Sequence, residues 1–332
     1  MRHITNKGDI MMNLLYEGKA KRVFVDPDSK DRVIIEFSDS VTAGDGAKKD
    51  TFPEKGSISC DISELLFSYL EGKGIDTHYV KRLKGPQLLC KKVTIFPVEV
   101  VCRNIAAGSF SKRYGVERGT ELENPLVEFF LKDDSLHDPL ITMGAITRIG
   151  LVSRDILQFL IRVTLSVNYY LRHLLKQQNL TLVDFKLEFG KTEDETIVLA
   201  DELSPDTMRV WDSRSMSLDK DVFREDKGDL VSTYKILLDA LCSAKPEDVE
   251  IKREVVQVIV EPKTGIKNPP GEVTKKALLR LGFAEVDDVR VGKVFNIVLK
   301  KPITTEILNH LNIMNVKLLS NPISEKHKVR LE

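Results

Sequence analysis

Leu182-Val183-Asp184-Phe185-Lys186-Leu187-Glu188-Phe189-Gly190 is the stretch that decides how this chain is read. Side chains alternate between the two faces of a strand, so Phe185, Leu187 and Phe189 share one side while Asp184, Lys186 and Glu188 share the other. One face is core. The other sets a carboxylate, an ammonium and a carboxylate in a row, which suits nucleotide and metal if it lines a cleft. Beyond the polar turn Gly190 to Glu195 comes a second strand, Thr196 to Ala200, so that Leu180 to Phe189 and Thr196 to Ala200 read as a hairpin. Asp201 and Glu202 stand at its end. Such oxygen ligands suit Mg2+, which commonly binds through one or two carboxylates plus substrate phosphates.

Working outward, Val23 to Val25 and Arg32 to Phe37 are β-branched and aromatic runs separated by the turn Asp26-Pro27-Asp28-Ser29, a second hairpin. Ile58, Ile62, Leu65, Leu66, Tyr69 and Leu70 fall at helical spacing, with Gly72 and Gly74 ending the pattern. Strands recur at Gln87 to Val93 and Val98 to Arg103. From Arg154 to Lys176 the residues Ile156, Leu160, Val163, Val167, Tyr170, Leu171 and Leu174 make the apolar stripe of a core helix. Another helix carries Leu230, Tyr234, Leu237, Leu238 and Leu241. Ser243-Ala244-Lys245-Pro246-Glu247-Asp248 reads as a linker, placing boundaries at 13–243 (13–100 and 101–243), 244–250 and 251–332. In the tail, Glu254 to Val260 reads as a strand, Gly271 to Leu281 as a helix and Asp288 to Lys300 as one or two strands around Gly292. Thr304 to Leu311 is a helix and Glu325 to Leu331 a strand, giving the β-α-β-β-α-β order of a ferredoxin-like unit.

The 332 residues, 42% hydrophobic and 30% charged, exclude disorder and exceed what one core of roughly 150 residues serves. Fifty basic and fifty acidic side chains cancel, so no overall field draws the chain to nucleic acid or to an anionic membrane. No apolar run approaches the roughly 18–20 residues of a bilayer crossing, and the first residues open no signal segment, so a cytoplasmic protein is expected. Cys60, Cys90, Cys102 and Cys242 lie far apart without metal-ligand spacing and read as reduced, mostly buried thiols.

Four further segments could carry chemistry. Tyr16-Glu17-Gly18-Lys19-Ala20-Lys21-Arg22 puts three cations and a glycine at a hairpin start, where backbone N–H groups and lysines can hold phosphates, although a basic turn is more often a solvated edge. The run Pro97-Val98-Glu99-Val100-Val101-Cys102-Arg103-Asn104-Ile105-Ala106-Ala107-Gly108-Ser109 leads an apolar strand into a guanidinium fork and a small-residue turn that a ligand can approach. Ser204-Pro205-Asp206-Thr207, with Arg209 following, has the form of a helix or turn start. A polar cluster holds Lys132, Asp134, His137 and Asp138 after the apolar strand Val127 to Phe130.

Taken in order, these segments, together with Thr42-Ala43-Gly44-Asp45-Gly46 and Asp201-Glu202-Leu203-Ser204-Pro205-Asp206, resemble the SAICAR synthetase (phosphoribosylaminoimidazole-succinocarboxamide synthase) family over residues 13 to 242. The resemblance implies an α+β, two-subdomain fold with an ATP cleft, and an ATP- and Mg2+-dependent ligase joining carboxyaminoimidazole ribonucleotide to L-aspartate. Carried over, Gly18, Lys19, Ala20, Lys21 and Glu188 bind ATP, and Asp201, Glu188 and Asp138 hold the metal. Lys186, Lys132 and Asp206 become the catalytic group, while Asp45, Arg103, Ser109 and Arg209 bind the ribonucleotide. Ala200 departs from the glycine that many relatives carry before the Asp-Glu pair.

Gly271-Glu272, Ala277-Leu278, Leu281-Gly282-Phe283, Val289-Arg290-Val291-Gly292-Lys293 and Leu318-Leu319-Ser320-Asn321-Pro322-Ile323 resemble the PurS-type small subunit of formylglycinamidine ribonucleotide synthetase. That resemblance implies an assembly domain meeting a large synthetase subunit and a glutaminase subunit. An exposed sheet edge on it would favour a homo-oligomer. Two other functions compete with the ligase: a small-molecule phosphotransferase with a regulatory dimerisation domain, and a nucleotide-sensing protein whose ligase site has decayed. Aspartate dependence separates the first of these from the ligase.

Overall fold

The computed structural model describes residues 13–43, 48–245, 254–300, 303 and 305–331. Two compact units divide at residues 249 and 250. The expected linker at 244–250 falls outside the described residues apart from Ala244 and Lys245, and Asp45 lies outside them as well.

The first unit opens with β1 (Leu14–Glu17), β2 (Lys21–Val25) and β3 (Arg32–Phe37). Between β2 and β3 the Asp26 carboxylate accepts from the Asp28 N–H at 3.1 Å, the side-chain turn that the Asp-Pro-Asp-Ser cluster calls for. A two-stranded ribbon of β4 (Ser40–Ala43) and β5 (Lys48–Thr51) leads to α1 (Lys55–Gly72), then β6 (Tyr79–Arg82) and β7 (Gln87–Lys91). The α1 start lacks a cap from its own N-cap residue; the Gly56 N–H donates instead to Asp39 Oδ1 at 2.9 Å. An antiparallel sheet in the order β1-β2-β3-β7-β6 results, with Ile58, Ile62, Leu66, Phe67 and Leu70 of α1 buried against it.

A larger sheet follows. Its strands are β8 (Thr94–Ile105), β9 (Glu121–Leu131), β10 (Leu140–Ile141), β11 (Thr181–Lys191), β12 (Ile197–Ala200) and β13 (Met208–Trp211). Helices α2 (Gly108–Tyr114), α3 (Met143–Arg148), α4 (Arg154–Lys176), α5 (Asp221–Arg224) and α6 (Leu230–Ser243) complete the unit. The order is β10-β9-β8-β11-β12, with β13 also pairing β11. One face of this sheet, with Val98, Val100, Cys102, Phe185, Leu187 and Phe189, is buried beneath α4. The opposite face is polar, as the period of two in β11 requires. Strands β12 and β13 share one edge of β11, so residues 201–207 bridge them as a loop, closed on Lys186 by its N–H donating to the Thr207 carbonyl at 2.8 Å. Ala200, buried at the end of β12, is accommodated opposite Glu188.

In the tail unit, β14 (Glu254–Pro262), α7 (Pro269–Arg280), β15 (Lys293–Leu299), α8 (Thr305–Met314) and β16 (Glu325–Leu331) build an antiparallel sheet in the order β15-β14-β16 with two helices. Helix α7 begins two residues before the expected Gly271, because Asn268 caps it and Pro269-Pro270 fits its first turn. Only one strand forms around Gly292 among the described residues, where the β-α-β-β-α-β order asks for two. The polar groups of the segment before Gly292 are used otherwise: Val291 donates to Asn268 Oδ1 at 3.3 Å and its carbonyl accepts from Asn268 Nδ2 at 2.8 Å. Among the described residues no helix is long and apolar enough to cross a membrane. Cys60, Cys90 and Cys102 are buried free thiols and Cys242 an exposed one.

Candidate active site

Pairing across the polar face fixes the site. Asp184 stands opposite Arg103 of β8 on one side and Arg209 of β13 on the other. Arg103 donates to Asp184 Oδ2 at 2.9 Å and to Glu128 Oε2 at 2.6 Å, and Arg209 reaches Asp184 Oδ2 at 2.8 Å and Asp221 Oδ2 at 2.7 Å. Two guanidinium forks thus share one buried carboxylate. Burial works against the Arg209 charge, but Asp184 and Asp221 outweigh it and hold the guanidinium firmly protonated.

Two residues along β11, Lys186 lies 2.6 Å from Glu99 and 3.2 Å from Glu188, whose carboxylate also accepts from Lys132 at 2.7 Å. Burial would lower the Lys186 ammonium; Glu188 and Glu99 reverse that and raise it. Asp201 follows β12 in a left-handed conformation, φ 66°, and pairs with Lys21 of the β1–β2 hairpin, which also lies 2.9 Å from Glu202. Burial pushes the Asp201 carboxyl up, yet Lys21 and Lys186 prevail and keep it well below the usual carboxylate range.

A cleft of about 340 Å3 opens on this face. It brings together Arg103, Ser109, Lys186, Asp206 and Arg209 from the sequence reading. Glu188 joins it through Lys186 and Lys132 through Glu188, and Lys21 pairs with Asp201 at the start of the 201–207 loop, whose Asp206 and Thr207 line the cleft. Asp206 is tied down: it pairs with the buried Lys55, accepts from Tyr234 Oη at 2.9 Å, and has Lys220 at 3.8 Å. Burial raises its carboxyl, but Lys55 and Lys220 hold it down at about 2.

Other expected residues stand apart from the cleft wall. Lys19 is exposed and pairs with Asp134 at 2.7 Å, Gly18 donates its N–H to the Lys21 carbonyl at 2.8 Å, and the Ala20 carbonyl accepts from Ser38. Asp138 closes its own loop, accepting from the Asp133 N–H at 2.9 Å. Among the described residues no three His, Cys, Asp or Glu side chains converge as a ready-made metal cage. The donors present still fit Mg2+. Glu188 on β11 and Asp201 just past the end of neighbouring β12 are hard oxygen donors, neutralised by lysines that phosphate oxygens can engage in their place.

Sequence reading missed Lys220 and Arg224, which line the cleft from the start and end of α5. Their spacing of four on a short helix was the available signal. Lys55 and Tyr234 gave none, since each reads as an ordinary helix position until Asp206 is placed between them.

An α+β chain whose antiparallel sheet carries a cation-lined cleft, paired carboxylates and a lysine hairpin has the charge pattern of an enzyme that works by positioning and charge neutralisation. Residues 14–241 match the family described as SAICAR synthetase, and the chain belongs to it. Residues 255–332 match a second family, PurS, described as phosphoribosylformylglycinamidine (FGAM) synthase. The phosphoribosylaminoimidazole-succinocarboxamide synthase of Staphylococcus aureus (strain JH9) is 48% identical over 231 residues, 69% of this chain and 98% of that one. A solved SAICAR synthetase (Type-2) in complex with ADP superposes with a TM-score of 0.67 at 44% identity, covering 71% of this chain and all of the other. The phosphoribosylaminoimidazole-succinocarboxamide synthase of Ehrlichia chaffeensis gives 0.68 at 39% identity, covering 70% of this chain and all of its own. The chain is thus a purine-biosynthesis ligase fused to a PurS domain.

Proposed function

We propose that residues 13–243 condense carboxyaminoimidazole ribonucleotide with L-aspartate, using ATP, to give SAICAR, ADP and phosphate. The observation that carries this reading is the cleft itself: five arginines and lysines, Arg103, Lys186, Arg209, Lys220 and Arg224, line one pocket, with the Glu188 carboxylate paired to Lys186 and Asp201 at the end of the neighbouring strand. A carboxylate is a poor electrophile. Transfer of the γ-phosphoryl group to it releases ADP and makes an acyl phosphate, which the aspartate amine attacks to form the amide as phosphate leaves. Arg103, Ser109 and Arg209, with Asp45, hold the ribonucleotide, and Gly18, Lys19, Ala20 and Lys21 hold ATP phosphates.

Glu188 and Asp201, with Asp138, would hold Mg2+, which supplies charge neutralisation on the phosphates. Lys186 and Lys132 sit where the transferring phosphoryl charge is spread, and Asp206 fixes the floor of the pocket. The ADP complex of a 44%-identical relative supports the nucleotide assignment. For residues 251–332 the PurS match supports an assembly role, meeting the large synthetase and glutaminase subunits of formylglycinamidine ribonucleotide synthetase and forming a homo-oligomer.

Measuring ADP and succinocarboxamide product with Mg-ATP, with and without the ribonucleotide and aspartate, tests the proposal. Turnover requiring all three substrates is expected. Full-rate ADP release without aspartate would make the chain a phosphotransferase.

A further inference from the structure

Amide formation requires the aspartate nitrogen, an ammonium at neutral pH, to lose a proton before it can attack. Few groups in the cleft can receive it. Arg103, Arg209 and Arg224 stay protonated at any working pH. Lys186 is clamped between Glu99 and Glu188 and kept charged. Asp206 has its two oxygens engaged by Lys55 and Tyr234. Asp184 is occupied by two arginines.

Lys220 differs from all of these. Its backbone is pinned, the N–H donating to the Pro205 carbonyl at 3.1 Å and the carbonyl accepting from Phe223 and Arg224 at the start of α5. That fixes a side chain only 13% exposed at the cleft wall, next to the 201–207 loop. Its carboxylate neighbour, Asp206 Oδ1, is 3.8 Å away and already accepts from Tyr234, so Lys220 is the most loosely paired cation lining the cleft. From the geometry we infer that Lys220 is the proton acceptor for the amine co-substrate, an inference that rests on the ligase reading above.

The charged groups facing Lys220 from the surrounding elements are Asp206 and Glu202 of the loop, Lys55 of α1 and Arg224 of α5. Burial lowers the Lys220 ammonium from its usual value; Asp206 opposes this without cancelling it, and Arg224 and Lys55 add to the lowering. A neutral Lys220 amine takes one proton from the aspartate ammonium. The freed lone pair forms the C–N bond at the acyl carbon, and the C–O bond to the phosphoryl group breaks with its electron pair leaving on phosphate. The second proton goes from nitrogen to that phosphate as the amide forms. Glu99 is the rival acceptor, a cleft carboxylate raised by burial, but its contact with Lys186 at 2.6 Å commits it.

The test compares full-length wild type with Lys220→Arg, Lys220→Ala and Glu99→Gln. Two steps are followed: bridge-to-nonbridge oxygen scrambling in ATP, with ribonucleotide and amine-free succinate, and kcat/KM for aspartate against pH. Lys220→Arg, which keeps a long basic side chain but is always protonated and so cannot accept a proton, is expected to retain scrambling and lose kcat/KM for aspartate by roughly a hundred- to ten-thousand-fold. In Lys220→Ala, added methylamine or ethylamine should restore product formation. Near-wild-type aspartate kinetics in Lys220→Arg, a failure of amine rescue in a folded Lys220→Ala, or loss of the alkaline-rising limb only in Glu99→Gln would each overturn the assignment. Product formation by wild type without scrambling would instead remove the acyl phosphate, while amine rescue of overall turnover still decides the role of Lys220.

Discussion

Lys21, at the start of β2, and Asp201, just after β12, are 180 residues apart in sequence and form a direct ion pair. Glu202 adds a second carboxylate at 2.9 Å, and burial would strip the Lys21 charge were it not for these two partners, which raise it instead. Lys21→Met leaves two carboxylates facing each other without their cation. The expected loss is about 3–5 kcal/mol, read as a lower denaturant midpoint. In the proposed function the same ammonium holds ATP phosphates, so KM for ATP should rise as well. A variant with wild-type stability and an unchanged KM would remove Lys21 from both roles.

Gly108 explains why small residues precede Ser109. Its φ is +53°, and a Cβ there would come within 2.6 Å of Arg209 Nη2 and 2.9 Å of Cζ. Arg209 cannot retreat without leaving Asp184 or Asp221. Gly108→Ala is therefore expected to cost about 1–2 kcal/mol in backbone strain. It should also raise KM for the ribonucleotide about tenfold or more, since a lost hydrogen bond to a charged group is worth about 1.5–3 kcal/mol. KM for ATP should stay where it is. Steady-state kinetics with each substrate varied in turn separates these outcomes.

Local periodicity made the framework readable. The Arg154–Lys176 helix and the β11–β12 hairpin form where the apolar spacing puts them, because each buries one continuous face. Asp184 shows the limit of that reading: its face was legible, but its use was not. It holds Arg103 and Arg209 in place, a relationship created by pairing with β8 and β13 that no single strand displays. Lys55 and Tyr234 were hidden for the same reason, since they meet at Asp206 from helices far apart in sequence. In the tail, the segment before Gly292 has strand-like composition, yet the Asn268 side chain takes the polar groups of Val291 that a ladder would use.

His78 gives a pH test. It is buried against Phe67, ring centroids 5.3 Å apart and near edge-on, and burial pushes the imidazole down to about 4 despite Asp201 nearby. Its folded value lies below the ordinary 6.5, so the unfolded chain binds the extra proton and stability falls as pH drops from about 6.5 to about 4, by at most about 3 kcal/mol. Asp219, pushed up to about 7 by burial and Asp221, acts in the opposite sense over the same window, so the informative quantity is a difference between proteins. His78→Phe, which keeps an aromatic ring against Phe67, should lose less stability than wild type over that interval. Urea unfolding at pH 7 and pH 4.5 measures this. Parallel losses in the two proteins would show that His78 does not titrate as its burial requires.

Independence of the two units can be tested from Gly271. A Cβ there would lie 2.0 Å from the Val289 carbonyl oxygen and 2.6 Å from Asn268 Oδ1, the atom that caps α7. Backbone cannot yield as a flexible side chain would, so Gly271→Ala must push the Val289 strap away or uncap the helix. Overpacking of this kind costs about 1–3 kcal/mol. The cleft, its cations and the Glu188–Asp201 carboxylates all belong to the first unit, and α7 to the second. Hydrogen exchange should therefore quicken across β14 and β15 while β8 and β11 keep their protection, and SAICAR formation should proceed at the wild-type rate. A fall in ligase turnover that tracks the loss of protection in the tail would mean that the PurS domain supports the catalytic unit directly.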